Sequence, residues 1–144
     1  MDKVKILCVD DEEGVLSFFR NICHLIIHLP VEIKVDIELA TETSPLQALE
    51  ILKNEKFTIF IIDYAMPGMN GIDLLKRIRQ LYKKDSYISI FVTAVGTMDQ
   101  FREEQKDLLF HYFLEKPINQ SLAIAILKKA ILGVRIRRNS RGEK

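Results

Sequence analysis

The stretch IFIIDYAMPGMNG, residues 59–71, runs four apolar residues into an aspartate and then into a turn rich in glycine and proline. Four consecutive apolar residues are typical of a strand that is buried on both faces of a sheet. A carboxylate is costly to bury without partners, so a core strand normally avoids one. Either the fold tolerates Asp63, or this strand serves to present it.

The rest of the chain alternates between segments of strand length and segments with a helical period. The predicted strands are residues 4–9, 32–39, 57–62, 87–92 and 110–114. The predicted helices are residues 14–29, 43–55, 71–82, 97–109 and 119–136. This alternation predicts an α/β fold of the (βα)5 type, a doubly wound five-stranded parallel sheet with helices on both faces. In such sheets, ligands bind beyond the carboxyl ends of the strands.

Length and charge indicate one domain with a basic end. The 144 residues are 48% hydrophobic, with 21 Lys and Arg against 20 Asp and Glu, so the charge balance implies no polyelectrolyte partner. Residues 135–144 hold five basic residues and one acidic residue. We expect residues 1–133 to form the domain and residues 134–144 to be a basic tail or the start of a linker. A short tail offers no element for reading bases, so we expect no direct DNA binding.

The sequence also favours a cytoplasmic protein without a membrane span. It contains no run of about 18 apolar residues, and its beginning turns acidic before any apolar run becomes long. Cys8 and Cys23 lie in apolar surroundings without the spacing of metal ligands, so we expect them to be reduced core thiols.

Polar residues stand at four of the predicted strand ends: Asp10 and Asp11, then Asp63, Thr93 and Lys116. Each alone has a structural explanation, such as a helix cap or a solvated lysine, but their joint placement favours a site. Clustered carboxylates attract a cation, and oxygen ligands with room for water suit Mg²⁺. A lysine and a hydroxyl beside that ion would hold an anion, so a phosphoryl group could be received on Asp63.

The motifs VDDE, DYAMPGMNG, TA and KP, each at a strand end, resemble the receiver domain of two-component response regulators (CheY-like) over about residues 3–132. The resemblance implies a flavodoxin-like strand order of 2-1-3-4-5. It also implies a signalling domain that accepts a phosphoryl group on Asp63 from a sensor histidine kinase or a histidine phosphotransfer protein. Such a domain catalyses only its own phosphotransfer and autodephosphorylation, and phosphorylation switches its binding of partners.

The same resemblance assigns the ligands of the metal. It implies that Asp11 and Asp63 bind Mg²⁺ together with the backbone carbonyl of Ala65, and that Asp10 acts mainly through water and orientation.

The resemblance assigns the phosphoryl contacts and the switch as well. Lys116 is expected to contact the phosphoryl group, with a cis bond to Pro117, and Thr93 to turn its hydroxyl toward it. Phe113 is expected to follow Thr93 inward on activation, unless it is a permanently buried core residue.

Alternative functions make different demands on the sequence. A Mg²⁺-dependent phosphohydrolase of the haloacid-dehalogenase type needs an acid two residues after its nucleophile, where this chain has Ala65. A receiver-like interaction module that is not phosphorylated stays open, as does a fragment of a larger or hybrid regulator. The downstream partner is then either a separate protein or an output domain outside this sequence, and a phosphorylation-dependent dimer is a further possibility.

Overall fold

Strands and helices alternate through residues 2–28, 35–94 and 110–140, which the computed structural model of the protein describes. The strands are β1 (Asp2–Val9), β2 (Val35–Glu42), β3 (Ile59–Asp63), β4 (Ile88–Ala94) and β5 (Tyr112–Lys116). The helices are α1 (Glu13–His28), α2 (Pro45–Leu52), α3 (Gly71–Leu81) and α4 (Gln120–Ser140). The helix predicted at 97–109 lies outside the described residues.

The five strands form one parallel sheet in the order β2-β1-β3-β4-β5, which confirms the predicted fold. Successive side chains of a strand point to opposite faces, so each inner strand contributes to two cores. Ile6 and Cys8 of β1 pack with α1 and α4, whereas Leu7 and Val9 pack with α2 and α3. All five residues of β3 are buried, so the carboxylate that ends this strand is held at the centre of the sheet.

The edge strand β2 was predicted at 32–39, and its C-terminal end was placed three residues too early. The strand continues to Glu42 because it pairs with β1 along its whole length, and the amide of Asp10 extends this ladder by donating to the Glu42 carbonyl at 3.1 Å. The last two residues of β2, Thr41 and Glu42, are polar and partly exposed. The alternating apolar pattern that predicted the strand therefore stops before them.

The strand β5 was predicted at 110–114, two residues too early at each end. Its ladder begins at Tyr112 because the Ser89 amide of β4 donates at 2.9 Å to the Nδ1 of His111 in place of a backbone carbonyl, although the His111 amide donates to the Ser89 carbonyl at 3.1 Å. The strand then continues through two charged residues, Glu115 and Lys116, which pair with the end of β4. Lys116 therefore belongs to the strand rather than to the loop after it.

The predicted domain boundary at residue 133 falls inside α4, which continues to Ser140. Val134 is buried against the core, and one Arg138 guanidinium nitrogen donates to the Lys3 carbonyl at 3.0 Å, at the start of β1. The first part of the predicted basic tail is thus a helix attached to the sheet. Cys8 and Cys23 are buried free thiols. None of the described helices combines the length and the apolar character needed to cross a bilayer.

Candidate functional site

The turn after β3 holds the Asp63 carboxylate at the edge of the sheet. The amide of Gly71 donates to the Tyr64 carbonyl at 2.8 Å, which closes the turn directly behind Asp63. Gly68 has a φ of 83°, a backbone conformation that glycine adopts without strain. The Asn70 side chain then accepts a hydrogen bond from an amide in the first turn of α3 and caps that helix. Turn residues and helix cap together fix where β3 ends.

A second buried carboxylate, Asp10, stands at the end of β1. Its side chain is 1% exposed, and its Oδ1 accepts a hydrogen bond from the Glu12 amide at 2.9 Å. Asp11 and Glu12 are exposed, yet carboxylate oxygens of Asp10, Asp11 and Glu12 all lie within 4.8 Å of one another. The β1–α1 connection therefore carries three acids in a row.

The ammonium of Lys116 lies among the carboxylates at this edge of the sheet. Its Nζ is 3.3 Å from Asp10 Oδ2, 3.4 Å from Asp63 Oδ1 and 3.2 Å from Glu12 Oε1. The structure thus brings together three of the residues predicted from the strand ends, namely Asp10, Asp63 and Lys116. It adds Glu12, to which the sequence analysis assigned no role.

Glu12 was missed because nothing in a single sequence shows which way its side chain turns. The sequence signal that could have pointed to Glu12 was its position directly after two acidic residues. An acidic residue is also common at the start of a helix, so this position did not distinguish a site residue from a helix-start residue. The contact of Glu12 with Lys116 joins residues 104 positions apart, from the ends of β1 and β5, which lie at the same edge of the sheet with β3 and β4 between them.

Burial and charge shift the proton affinities of these groups. Burial, assisted by the Asp10 charge, raises the pKa of Asp63 to about 7, although Lys116 opposes the shift. Burial likewise raises the pKa of Asp10, against the Glu12 amide and Lys116. Burial acts to lower the pKa of Lys116, but the charges of Asp10 and Asp63 outweigh it and raise that pKa. The site holds more negative charge than one ammonium neutralises.

One oxygen of this site lacks a hydrogen-bond donor among the described residues. Asp10 Oδ2 is buried and lies at ion-pair distance from Lys116, but no described group donates a hydrogen bond to it. A buried acceptor without a donor is costly, and a cation at the same place would satisfy it. The donors gathered here are carboxylate oxygens, which are ligands that Mg²⁺ prefers. The residues present therefore fit the divalent ion that the resemblance implies.

The remaining predicted residues lie on β4, on β5 or in the turns that follow β3 and β5. Thr93 is 2% exposed near the end of β4, and the bond between Lys116 and Pro117 is cis. Ala65 is exposed, two residues after Asp63. Phe113 is half-buried on β5, so in this state its ring is not fully enclosed in the core.

Known proteins share sequence similarity and fold with this chain. Residues 6–128 match the family model of the response regulator receiver domain. The sporulation initiation phosphotransferase F of Bacillus subtilis is 28% identical over 102 residues, covering 71% of this chain and 73% of that protein. The protein-glutamate methylesterase/protein-glutamine glutaminase of Bordetella pertussis is 33% identical over 81 residues, covering 56% of this chain and 21% of that protein. This chain thus spans about a fifth of the methylesterase.

Solved structures show the same fold. A two component transcriptional regulator AraC from Clostridium phytofermentans superposes with a TM-score of 0.73 and 25% identity, covering 95% of this chain and 98% of that one. The family match extends over most of the sequence and includes every strand end that carries the acidic group and Lys116. The chain belongs to the response regulator receiver domain family of two-component systems.

Proposed function

We propose that Asp63 accepts a phosphoryl group from a phosphohistidine of a sensor histidine kinase or a histidine phosphotransfer protein. The observation that carries the proposal is the position of Lys116, 3.4 Å from Asp63 and 3.3 Å from Asp10, at the carboxyl ends of the parallel strands. A buried carboxylate held beside an ammonium is suited to act as a nucleophile toward a phosphoryl group, whose oxygens the ammonium then holds.

In the proposed step, a carboxylate oxygen of Asp63 attacks the phosphorus, and the bond between phosphorus and the histidine nitrogen breaks. The imidazole leaves with the electron pair of that bond and takes up a proton, and Asp63 becomes an acyl phosphate. Lys116 stabilises the negative charge on the phosphoryl oxygens, and the Thr93 hydroxyl can donate to one of them. The carboxylate must be ionised to attack, and burial, which raises the pKa of Asp63 to about 7 in the metal-free protein, opposes that ionisation, whereas a bound cation would favour it.

Mg²⁺ is the proposed cofactor, held by Asp11, Asp63 and the Ala65 carbonyl, with Asp10 acting through water and orientation. When bound, the ion neutralises charge on the phosphoryl group and lowers the pKa of the carboxylates around it. Asp10 Oδ2 has no donor among the described residues, and water held by the ion would supply one.

Phosphorylation is proposed to act through Thr93 and Phe113 on the binding of a downstream protein or of an output domain. Phe113 belongs to a row of edge-to-face rings: its ring centroid is 6.3 Å from that of Phe110, which lies 5.5 Å from that of Phe91 of β4. Thr93 follows two residues after Phe91 on the same strand, so a movement of Thr93 toward the phosphoryl group would disturb this row. Because Phe113 is half-buried, an inward movement of its ring would bury apolar surface that is exposed in this state.

The proposal is tested by intact mass after incubation with Mg²⁺ and acetyl phosphate. We expect a gain of about 80 Da, which is one phosphoryl group. Asp63→Asn should abolish the gain, whereas Asp73→Asn, which replaces an exposed aspartate at the start of α3, should retain it. A folded protein that gains no mass, or gains it equally in Asp63→Asn, would contradict the proposal and favour a receiver-like binding module.

A further inference from the structure

We propose that Glu12 holds the Lys116 ammonium in the unphosphorylated protein and competes for it with the incoming phosphoryl group. This inference rests on the proposed function of Asp63. It assigns to Glu12 a positioning role, through Lys116, in setting how readily the site takes up a phosphoryl group.

The first argument is the direction of the Lys116 hydrogen bond. Three carboxylates lie within 3.4 Å of its Nζ, yet only the contact with Glu12, at 3.2 Å, has hydrogen-bond geometry within the described part of the chain. Asp10 Oδ2 lies 3.3 Å from the ammonium but receives no hydrogen bond of good geometry from the residues that the structure describes. Glu12 is thus the nearest of the three carboxylates to the ammonium and the one that meets hydrogen-bond geometry, while Asp10 and Asp63 lie at ion-pair distance.

The second argument is that Glu12 combines a fixed backbone with an exposed side chain. Its backbone is fixed, because its amide donates to Asp10 and its carbonyl accepts from the amide of Val15 at 3.0 Å at the start of α1. Its side chain is 64% exposed, whereas that of Lys116 is 21% exposed. The carboxylate can thus swing into solvent without leaving a buried charge behind, which is what a displaceable partner requires.

The third argument is the chemistry of the competition. A phosphoryl group on Asp63 offers oxygens that accept hydrogen bonds from an ammonium, and it does so inside the site rather than at its rim. The ammonium has three donors, so each bond to these oxygens competes with Glu12 for one of them. Since an exposed ion pair is weak, the competition should change affinity by a small factor rather than by orders of magnitude.

The test is the affinity for beryllofluoride, a phosphoryl mimic, with saturating Mg²⁺ at low ionic strength. We expect Glu12→Gln to bind it about two- to fivefold more tightly than the wild type. The matched control is Glu13→Gln, which removes the same charge from the next residue; Glu13 is 65% exposed and pairs with Arg20 rather than with Lys116. It should bind like the wild type.

Two results would overturn the inference. Equal effects of Glu12→Gln and Glu13→Gln would show that only net charge matters. A fall of tenfold or more in Mg²⁺ affinity for Glu12→Gln alone would show that Glu12 is a metal ligand, since its oxygens lie near those of Asp10 and Asp11.

A second measurement separates this inference from the proposed function. In the metal-free protein at fixed pH, the Nζ and Cε resonances of Lys116 should move in Glu12→Gln and stay in place in Glu13→Gln. Resonances that do not move would show that the contact is absent in solution, whatever the protein does with phosphoryl donors. A wild type that binds no beryllofluoride would overturn the proposed function, and the competition with it.

Discussion

Replacing Gly71 with alanine is expected to lower the free energy of unfolding by about 2–4 kcal/mol. An added Cβ would overlap the carbonyl oxygen of Asp63 and would lie 3.0 Å from its carbonyl carbon and from Ile62 Cγ2. The overlapped atom belongs to the backbone of β3 and cannot rotate away. The helix α3 would have to withdraw from the strand that presents Asp63.

Urea unfolding of the variant checks this expectation, with Gly14→Ala as the control. A Cβ on Gly14, in the first turn of α1, meets no atom within 4 Å. Alanine favours a helix over glycine, so Gly14→Ala should be neutral or stabilising by up to about 1 kcal/mol. Equal stability of the two variants would mean that the packing of α3 on β3 is looser than the structure shows.

Asp63→Asn is expected to stabilise the metal-free protein by about 1–3 kcal/mol at pH 8. The pKa of Asp63 is raised to about 7 in the folded state, by burial first and the Asp10 charge second. Between about pH 4, the usual value for an unfolded aspartate, and pH 7, the folded state therefore binds more protons than the unfolded state. The free energy of unfolding of the wild type therefore falls as the pH rises through this window. An asparagine does not titrate, so the variant does not lose this stability.

The pH dependence makes the second prediction specific. The advantage of Asp63→Asn should vanish near pH 4, grow up to about pH 7 and stay level above it, as measured by urea unfolding. Asp73→Asn, at an exposed position, should show no such profile. Added Mg²⁺ should narrow the difference, because it binds the folded wild type. A variant less stable than the wild type at pH 8 would contradict the electrostatic account.

The sheet and the placement of its acidic edge could be predicted from sequence because they follow from burial. Four apolar residues before Asp63 predict a strand covered on both faces, and the structure buries all of β3. Parallel strands bring their carboxyl ends to one edge, so Asp10 and Lys116, which are far apart in the chain, were expected to meet there. The lengths and order of the apolar and helical segments were sufficient for this prediction.

The features that escaped prediction depend on a partner elsewhere in the chain. The polar end of β2 is a strand because β1 pairs with it, and β5 starts late because His111 bonds to the Ser89 amide. The turn of Glu12 toward Lys116 depends on one rotamer and on a distance across the sheet. These features depend on contacts between residues that are distant in sequence, so no local sequence pattern indicates them.

The length of α4 has a consequence for any molecule attached beyond it. The helix begins four residues after Lys116, and its 21 residues span about 30 Å. Arg138, near its far end, is bonded to the start of β1, on the side of the sheet opposite the carboxylates. A fluorophore or fused domain joined after the helix would have its point of attachment on that side, where it would leave the acidic pocket unobstructed. A structural change caused by phosphorylation would therefore have to be transmitted to the attached group along the helix or through the strands.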